Sequence, residues 1–145
     1  MQNETCIWIC QGVYDARMRD LVLFYAALAD ANRLRLLKLM QDGEICVCHL
    51  QGALQTNQPK ISRHLAYLRK TGLVTARRDG KWTHYRLKKL DSNKQKILSV
   101  TLARLAGEPQ IKQDLTRVKQ ILCCPTRYGF SAPDCAQSVK SPKKI

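Results

Sequence analysis

The chain has 145 residues, with 25 Lys and Arg against 11 Asp and Glu, a formal charge of +14 and a pI near 9.8. That length suits one compact domain with short tails, large enough to bury a core without a disulfide or metal staple. Such basicity points to a polyanionic partner, and the longest apolar run, nine residues from Leu21 to Ala29, is too short to span a bilayer.

The N-terminus lacks the basic and apolar regions of a secretory leader, so a cytoplasmic protein without membrane attachment is expected. Its seven cysteines are then expected to be thiols, and an odd count also prevents complete pairing within one chain. Residues 1–16 read as an arm carrying Cys6 and Cys10. Residues 18–29 read as a mostly apolar helix that must be buried, a second subunit being one partner for it. Asp30 can cap the next helix, Ala31 to about Gln41, which is expected to bury Leu34, Leu37 and Met40 before Asp42-Gly43 ends it.

A short helix from about Val47 to Gln55 and a tight Thr56-Asn57 turn lead into a helix that starts at Gln58. In that second helix Ile61, Leu65 and Leu68 recur at i, i+4, i+7 and define one apolar face. The other face carries Lys60, Ser62, Arg63, Tyr67 and Lys70, residue types suited to phosphates and base edges in a major groove. Gln58 and His64 join them as candidate contacts. Asn57 is the expected N-cap, Pro59 is tolerated in the first turn, and Gly72 stands where a helix terminates. Helix, short turn and helix make a helix-turn-helix, whose second helix enters the groove.

Two strands are expected at Leu73–Arg78 and Lys81–Leu87, joined through Asp79-Gly80 as a type I′ turn with positive φ at both central residues. Arg77, Arg78 and Lys81 sit at the tip, as in a wing that approaches phosphates or a minor groove. Residues 58–89 hold ten Lys and Arg against a single acid, a net +9 over 32 residues. A helix over 91–106 follows, with Ile97, Leu98, Leu102 and Leu105 apolar. Gly107-Glu108-Pro109 interrupts it, and the pattern resumes with Ile111, Leu115, Val118 and Leu122, which we expect to serve dimer packing. Residues 17–124 thus form the domain with its dimerisation helices, and 125–145 read as a flexible basic tail. The fold class expected is mainly α, a winged helix-turn-helix. An enzyme is not expected, since no cysteine lies in a Cys-x-x-Cys or a βαβ pattern.

Four stretches then carry a resemblance: Leu28-Ala-Asp-Ala-Asn-Arg-Leu-Arg-Leu-Leu37, Glu44-Ile-Cys-Val-Cys-His-Leu50, Gln58-Pro-Lys-Ile-Ser-Arg-His-Leu65 and Asp79-Gly-Lys-Trp-Thr-His-Tyr-Arg-Leu87. From about residue 20 to 90 the chain resembles the ArsR/SmtB metal-sensing repressors, the last two stretches resembling the arsenic-responsive branch. The resemblance implies a homodimer on double-stranded operator DNA that lets go when a metal or metalloid binds.

Cys46 and Cys48 are the first candidate ligands. A helix N-terminus favours the thiolate that binds soft ions. In extended chain i and i+2 point the same way, whereas on a regular helix they diverge by about 200°, so an ion held by both is expected to bend the helix start. The third cysteine common in the arsenic branch falls at Gln51. Two other sources complete a site by resemblance. Cys6 and Cys10 resemble the arm of the cadmium/lead branch, where such a pair joins Cys-x-Cys across the dimer to suit Cd(II) or Pb(II). Cys123, Cys124 and Cys135 resemble the C-terminal cysteines of some arsenic-responsive members, an independent site for As(III) or Sb(III). A thiol redox sensor remains the alternative of another class. His49 reads as a solvated side chain, and His64 as a helix-face contact to DNA or a capping donor.

Overall fold

The computed structural model describes residues 15–123. The elements run α1 (Ala16–Leu28), α2 (Ala31–Leu39), β1 (Ile45–Cys46), α3 (Val47–Leu54), α4 (Gln58–Lys70), β2 (Val74–Asp79), β3 (Trp82–Leu87), α5 (Ser92–Leu105) and α6 (Pro109–Cys123). This is a winged helix-turn-helix: α3 and α4 are the helix pair, and β2 and β3 the wing. Among the described residues no helix is long and apolar enough to cross a membrane.

Local chemistry fixes the helix ends. Asp30 accepts the Arg33 N–H at 2.9 Å, Asn57 accepts the Lys60 N–H at 3.0 Å, and Asp91 accepts from Asn93 and Lys94 at 3.1 Å each. At the other end of α4 the Leu73 N–H donates to the Leu68 carbonyl and the Gly72 N–H to that of Arg69, a Schellman closure with Gly72 at φ 75°. The apolar face of α4 is as expected, with Ile61, Leu65 and Leu68 fully buried. Each contributes on the order of 1.5–3 kcal/mol of burial.

α2 is the centre of the domain, packed against α1, α4, α5 and α6. Its burial therefore spreads beyond one stripe: Leu36, Leu37, Leu39 and Met40 are inside, while Leu34, expected there, is only half-buried. α1 is only partly covered within the single chain. Only Phe24 and Ala27 are buried; Met18, Leu21, Val22, Leu23 and Tyr25 are exposed, because one chain covers only one side of an all-round apolar helix. α6, expected to serve dimer packing, is used differently. Its apolar stripe, with Ile111, Val118 and Ile121 buried, is used within the chain against α3 and α2.

The sheet has the order β1-β3-β2, antiparallel throughout. β1 has no signature in the sequence, since two residues are too few for a pattern. The wing turn sits one residue later than expected. Asp79 pairs with Trp82, so Gly80 and Lys81 are the central residues, and only Gly80 has positive φ, 57°. A type I′ turn requires positive φ at both positions, whereas glycine at the first is the type II′ arrangement. Asp79 stays in the strand, where i and i+2 share a face, and takes an Arg77 guanidinium nitrogen at 3.3 Å.

Candidate nucleic-acid interface and thiol pair

On α4, Gln58, Lys60, Ser62, Arg63, Arg69 and Lys70 are exposed and form one polar surface opposite the buried face. Arg63 folds back lightly, its Nε 3.4 Å from the Pro59 carbonyl. His64 and Tyr67 are half-buried and turned toward the α1–α2 junction. His64 Nδ1 lies 3.6 Å from the Asp30 carboxylate. The Arg33 guanidinium stacks 4.5 Å above the Tyr67 ring and donates to the Ala26 and Ala27 carbonyls, at 2.8 Å each. These two residues thus hold α4 in place as well as bordering its polar surface.

The wing extends that surface. Arg78 and Lys81 are exposed, with Arg78 Nε 3.3 Å from the Gly80 carbonyl. Arg77 is also exposed but held: Glu44 Oε1 takes its Nε at 3.0 Å and its Nη2 at 2.5 Å. The Arg77 hydrogen bonds hold the Glu44 carboxyl below its usual range, against the opposing effect of burial.

Cys46 is buried and Cys48 half-buried, and their sulfurs are 2.9 Å apart. Cys46 is the N-cap of α3 with extended backbone (φ −71°, ψ 143°), while Cys48 already lies in the first turn. The junction of strand and helix therefore brings the two thiols together at the start of α3. Both sulfurs can therefore reach one soft ion, and ligation would fix their separation. Gln51 is half-buried on α3. Among the described residues no group of three His, Cys, Asp or Glu forms a metal site. Cys123 is the last residue of α6; Cys6, Cys10, Cys124 and Cys135 lie outside the described residues, as do the arm through residue 14 and the tail.

Sequence reasoning missed four residues. The first, Glu44, is the partner of Arg77. His49, expected in solvent, is 3% exposed; burial, then the charge of His84, pushes its pKa down. His84 is buried at the centre of β3, opposite Cys46 on one side and Arg77 on the other. Asp114 is fully buried on α6, and Arg35 of α2 grips it through Nε at 2.7 Å and Nη2 at 2.9 Å. Arg117 and Gln110 add bonds of 3.2 and 3.1 Å, and Arg117 also reaches the Ala53 carbonyl of α3 at 3.3 Å. A signal for Asp114 existed: residues 111, 114, 118 and 121 are one helical stripe, and only 114 is polar.

The family model described as "Bacterial regulatory protein, arsR family" matches residues 30–76. The arsenical resistance operon repressor of Escherichia coli is 52% identical over 67 residues, covering 46% of this chain and 57% of that protein. The chain thus spans little more than half of that relative. The arsenic resistance transcriptional regulator ArsR2 of Pseudomonas putida is 41% identical over 105 residues, covering 71% of this chain and 90% of that protein. Among solved structures, the homodimeric winged helix-turn-helix DNA-binding domain Mb0332 of Mycobacterium bovis is 30% identical with a TM-score of 0.54, covering 66% of this chain and 92% of that one. With this fold and these matches, the chain belongs to the ArsR family of bacterial regulatory proteins.

Proposed function

We propose that the chain is a transcriptional repressor that binds operator DNA as a homodimer and is released when As(III) or Sb(III) binds cysteine thiolates. The observation that carries this reading is the convergence of Cys46 and Cys48 at the start of α3, the helix directly before the exposed basic face of α4. The two arsenic-resistance relatives point to the same class of inducer. Gln58, Lys60, Ser62, Arg63 and the rims of His64 and Tyr67 would face the major groove, with Arg77, Arg78 and Lys81 on flanking phosphates or in the minor groove. Phosphate contacts give affinity and salt dependence; base-edge contacts from Arg63 and Gln58 give specificity.

The second subunit covers the exposed apolar side of α1 (Met18, Leu21, Val22, Leu23, Tyr25), with Val100 of α5, 70% exposed, in the same role. The pair Cys46/Cys48 supplies two ligands, and a trivalent centre takes a third from Cys6, Cys10, Cys123, Cys124 or Cys135. Residues 1–16 and 125–145 are thus ligand-bearing flanks of the domain. Such a regulator acts in the cytoplasm, where thiols stay reduced. Capture of the thiol pair by an ion that also takes a third thiolate shifts β1 and the start of α3, which makes the DNA-bound geometry less favourable. By reciprocity DNA weakens inducer binding by the same factor, on the order of 5–150-fold.

The test is release of a fluorescently labelled promoter fragment, followed by anisotropy under reductant, with As(III), Sb(III), Cd(II) and Pb(II) titrated side by side. Release at low As(III) or Sb(III) with little response to Cd(II) is the expected result. A preference for Cd(II) or Pb(II) moves the assignment to a four-thiolate site of Cys6, Cys10, Cys46 and Cys48. Release that needs no ion but follows oxidation and reverses with reductant replaces both with redox sensing.

A further inference from the structure

We propose that Glu44 is a positioning residue that joins the thiol-bearing strand to the wing, so that ligation at Cys46 and Cys48 is felt at Arg77. The inference rests on the repressor reading above and deepens it. Three residues stand in one row across the sheet. Cys46 of β1 is opposite His84 of β3, and His84 is opposite Arg77 of β2. Directly opposed residues in antiparallel strands present their side chains to the same face. Glu44, two residues before Cys46, closes this row from above. Its carboxylate grips Arg77 at 3.0 and 2.5 Å and lies 3.9 Å from His84 Nδ1. The chain entering β1 is therefore tied to β2, two strands away, by a side chain that crosses over β3.

The thiol pair gives this tie something to transmit. The sulfurs stand 2.9 Å apart where β1 runs into α3, so one ion can take both and fix their separation. Cys46 is fully packed and is held in register with His84, so a shift of Cys46 on ligation moves β1 as a unit with the residues before it. Glu44 passes that movement to a guanidinium on the wing strand β2. Arg77 also meets Asp79 at 3.3 Å, a contact confined to β2 that has no connection to β1. Asp79 is therefore an internal control: it shares Glu44's charge and partner but not its attachment to the thiol strand.

The experiment uses the full chain under reductant. It reads the ratio of operator Kd with saturating arsenite to that without, for wild type, Glu44→Gln, Glu44→Asp and Asp79→Asn. Arsenite affinity of the DNA-free protein and the thermal midpoint are measured alongside. Glu44→Gln is expected to cut the ratio at least fivefold, with arsenite affinity and DNA affinity without inducer each within about threefold of wild type. Glu44→Asp, which keeps the charge, should recover part of the ratio, and Asp79→Asn should leave it unchanged. A wild-type ratio in Glu44→Gln overturns the inference, as does an equal loss in Asp79→Asn, which would make the effect one of local charge. A wild-type protein whose operator affinity ignores arsenite refutes the repressor reading itself, and the role of Glu44 with it.

Discussion

Replacing Asp114 with Ala removes a fully buried carboxylate and four hydrogen bonds, two to Arg35 and one each to Arg117 and Gln110. It leaves two guanidiniums facing an apolar helix interface. Breaking a buried ion pair from one side typically costs 3–5 kcal/mol. The side chains of Arg35 and Arg117 are 18% and 26% exposed and keep some water, which places the expected loss at the lower end, about 3 kcal/mol. Against a total stability of roughly 5–15 kcal/mol this is a large fraction. Urea denaturation followed by circular dichroism, at one fixed protein concentration, measures it; concentration must be held because dimer formation adds to apparent stability. The reasoning also predicts the sign of a compensating change. Arg35→Met combined with Asp114→Leu removes the tighter of the two pairs and leaves only Arg117, which still reaches the Ala53 carbonyl, so it should recover part of the loss. A loss under about 1 kcal/mol for Asp114→Ala, or no recovery in the double variant, would refute the account of α6 docking.

Three further outcomes are expected. Arg63→Ala should weaken operator binding by about 1–3 kcal/mol and relax sequence preference, whereas Lys81→Ala should weaken all sequences alike and lower the salt slope by about 1; anisotropy titrations at several salt concentrations separate the two, and identical profiles would contradict the assigned roles. Burial holds the His49 pKa down, so the folded state binds its proton less readily than the unfolded chain. Its contribution is therefore fully present above the unfolded value near 6.5 and is lost as pH falls through the lower folded value; urea midpoints that drop from pH 8 to pH 5.5 and flatten in His49→Gln would bear this out, and a slope unchanged in that variant would not. Gly80 has φ 57° and open space where a Cβ would stand, so Gly80→Val meets only backbone strain, about 1–2 kcal/mol. Amide exchange in β2 and β3 should quicken in Gly80→Val and much less in Gly80→Asn; equal effects would place the strain elsewhere.

The elements that could be read from sequence are those with a repeating pattern or a cap. The stripe Ile61, Leu65, Leu68 and the caps Asp30, Asn57 and Gly72 were legible because each satisfies a local requirement of helix geometry. What escaped depends on chain distant in sequence. β1 exists only because β3 returns beside it, and that pairing also sets the backbone that brings Cys46 toward Cys48. His49 lies inside near His84 of β3, which is 35 positions away in sequence. Asp114 has its counter-charge 79 positions away, so no window of sequence contains both. The turn shifted by one residue because Asp79 pairs with Trp82 across the hairpin, a register set by the two strands together. Of the candidate contacts, exposure on α4 and the wing followed from pattern, while the engagement of His64, Tyr67 and Arg77 by Asp30, Arg33 and Glu44 did not.

The two-residue strand β1 also bears on how the protein stays apart from its own copies. A hairpin that projects from a domain has two open flanks, each a row of unsatisfied amides on which another chain can assemble. Here β1 occupies the flank of β3 nearest the domain. The remaining flank is β2, six residues long, whose outer half is Arg77-Arg78-Asp79, charged and exposed. Short length and charge are the means by which natural sheets resist edge-to-edge aggregation. The cations on this hairpin thus guard it against polymerisation, so neutralising Arg77 and Arg78 together should cost the protein solubility as well as affinity.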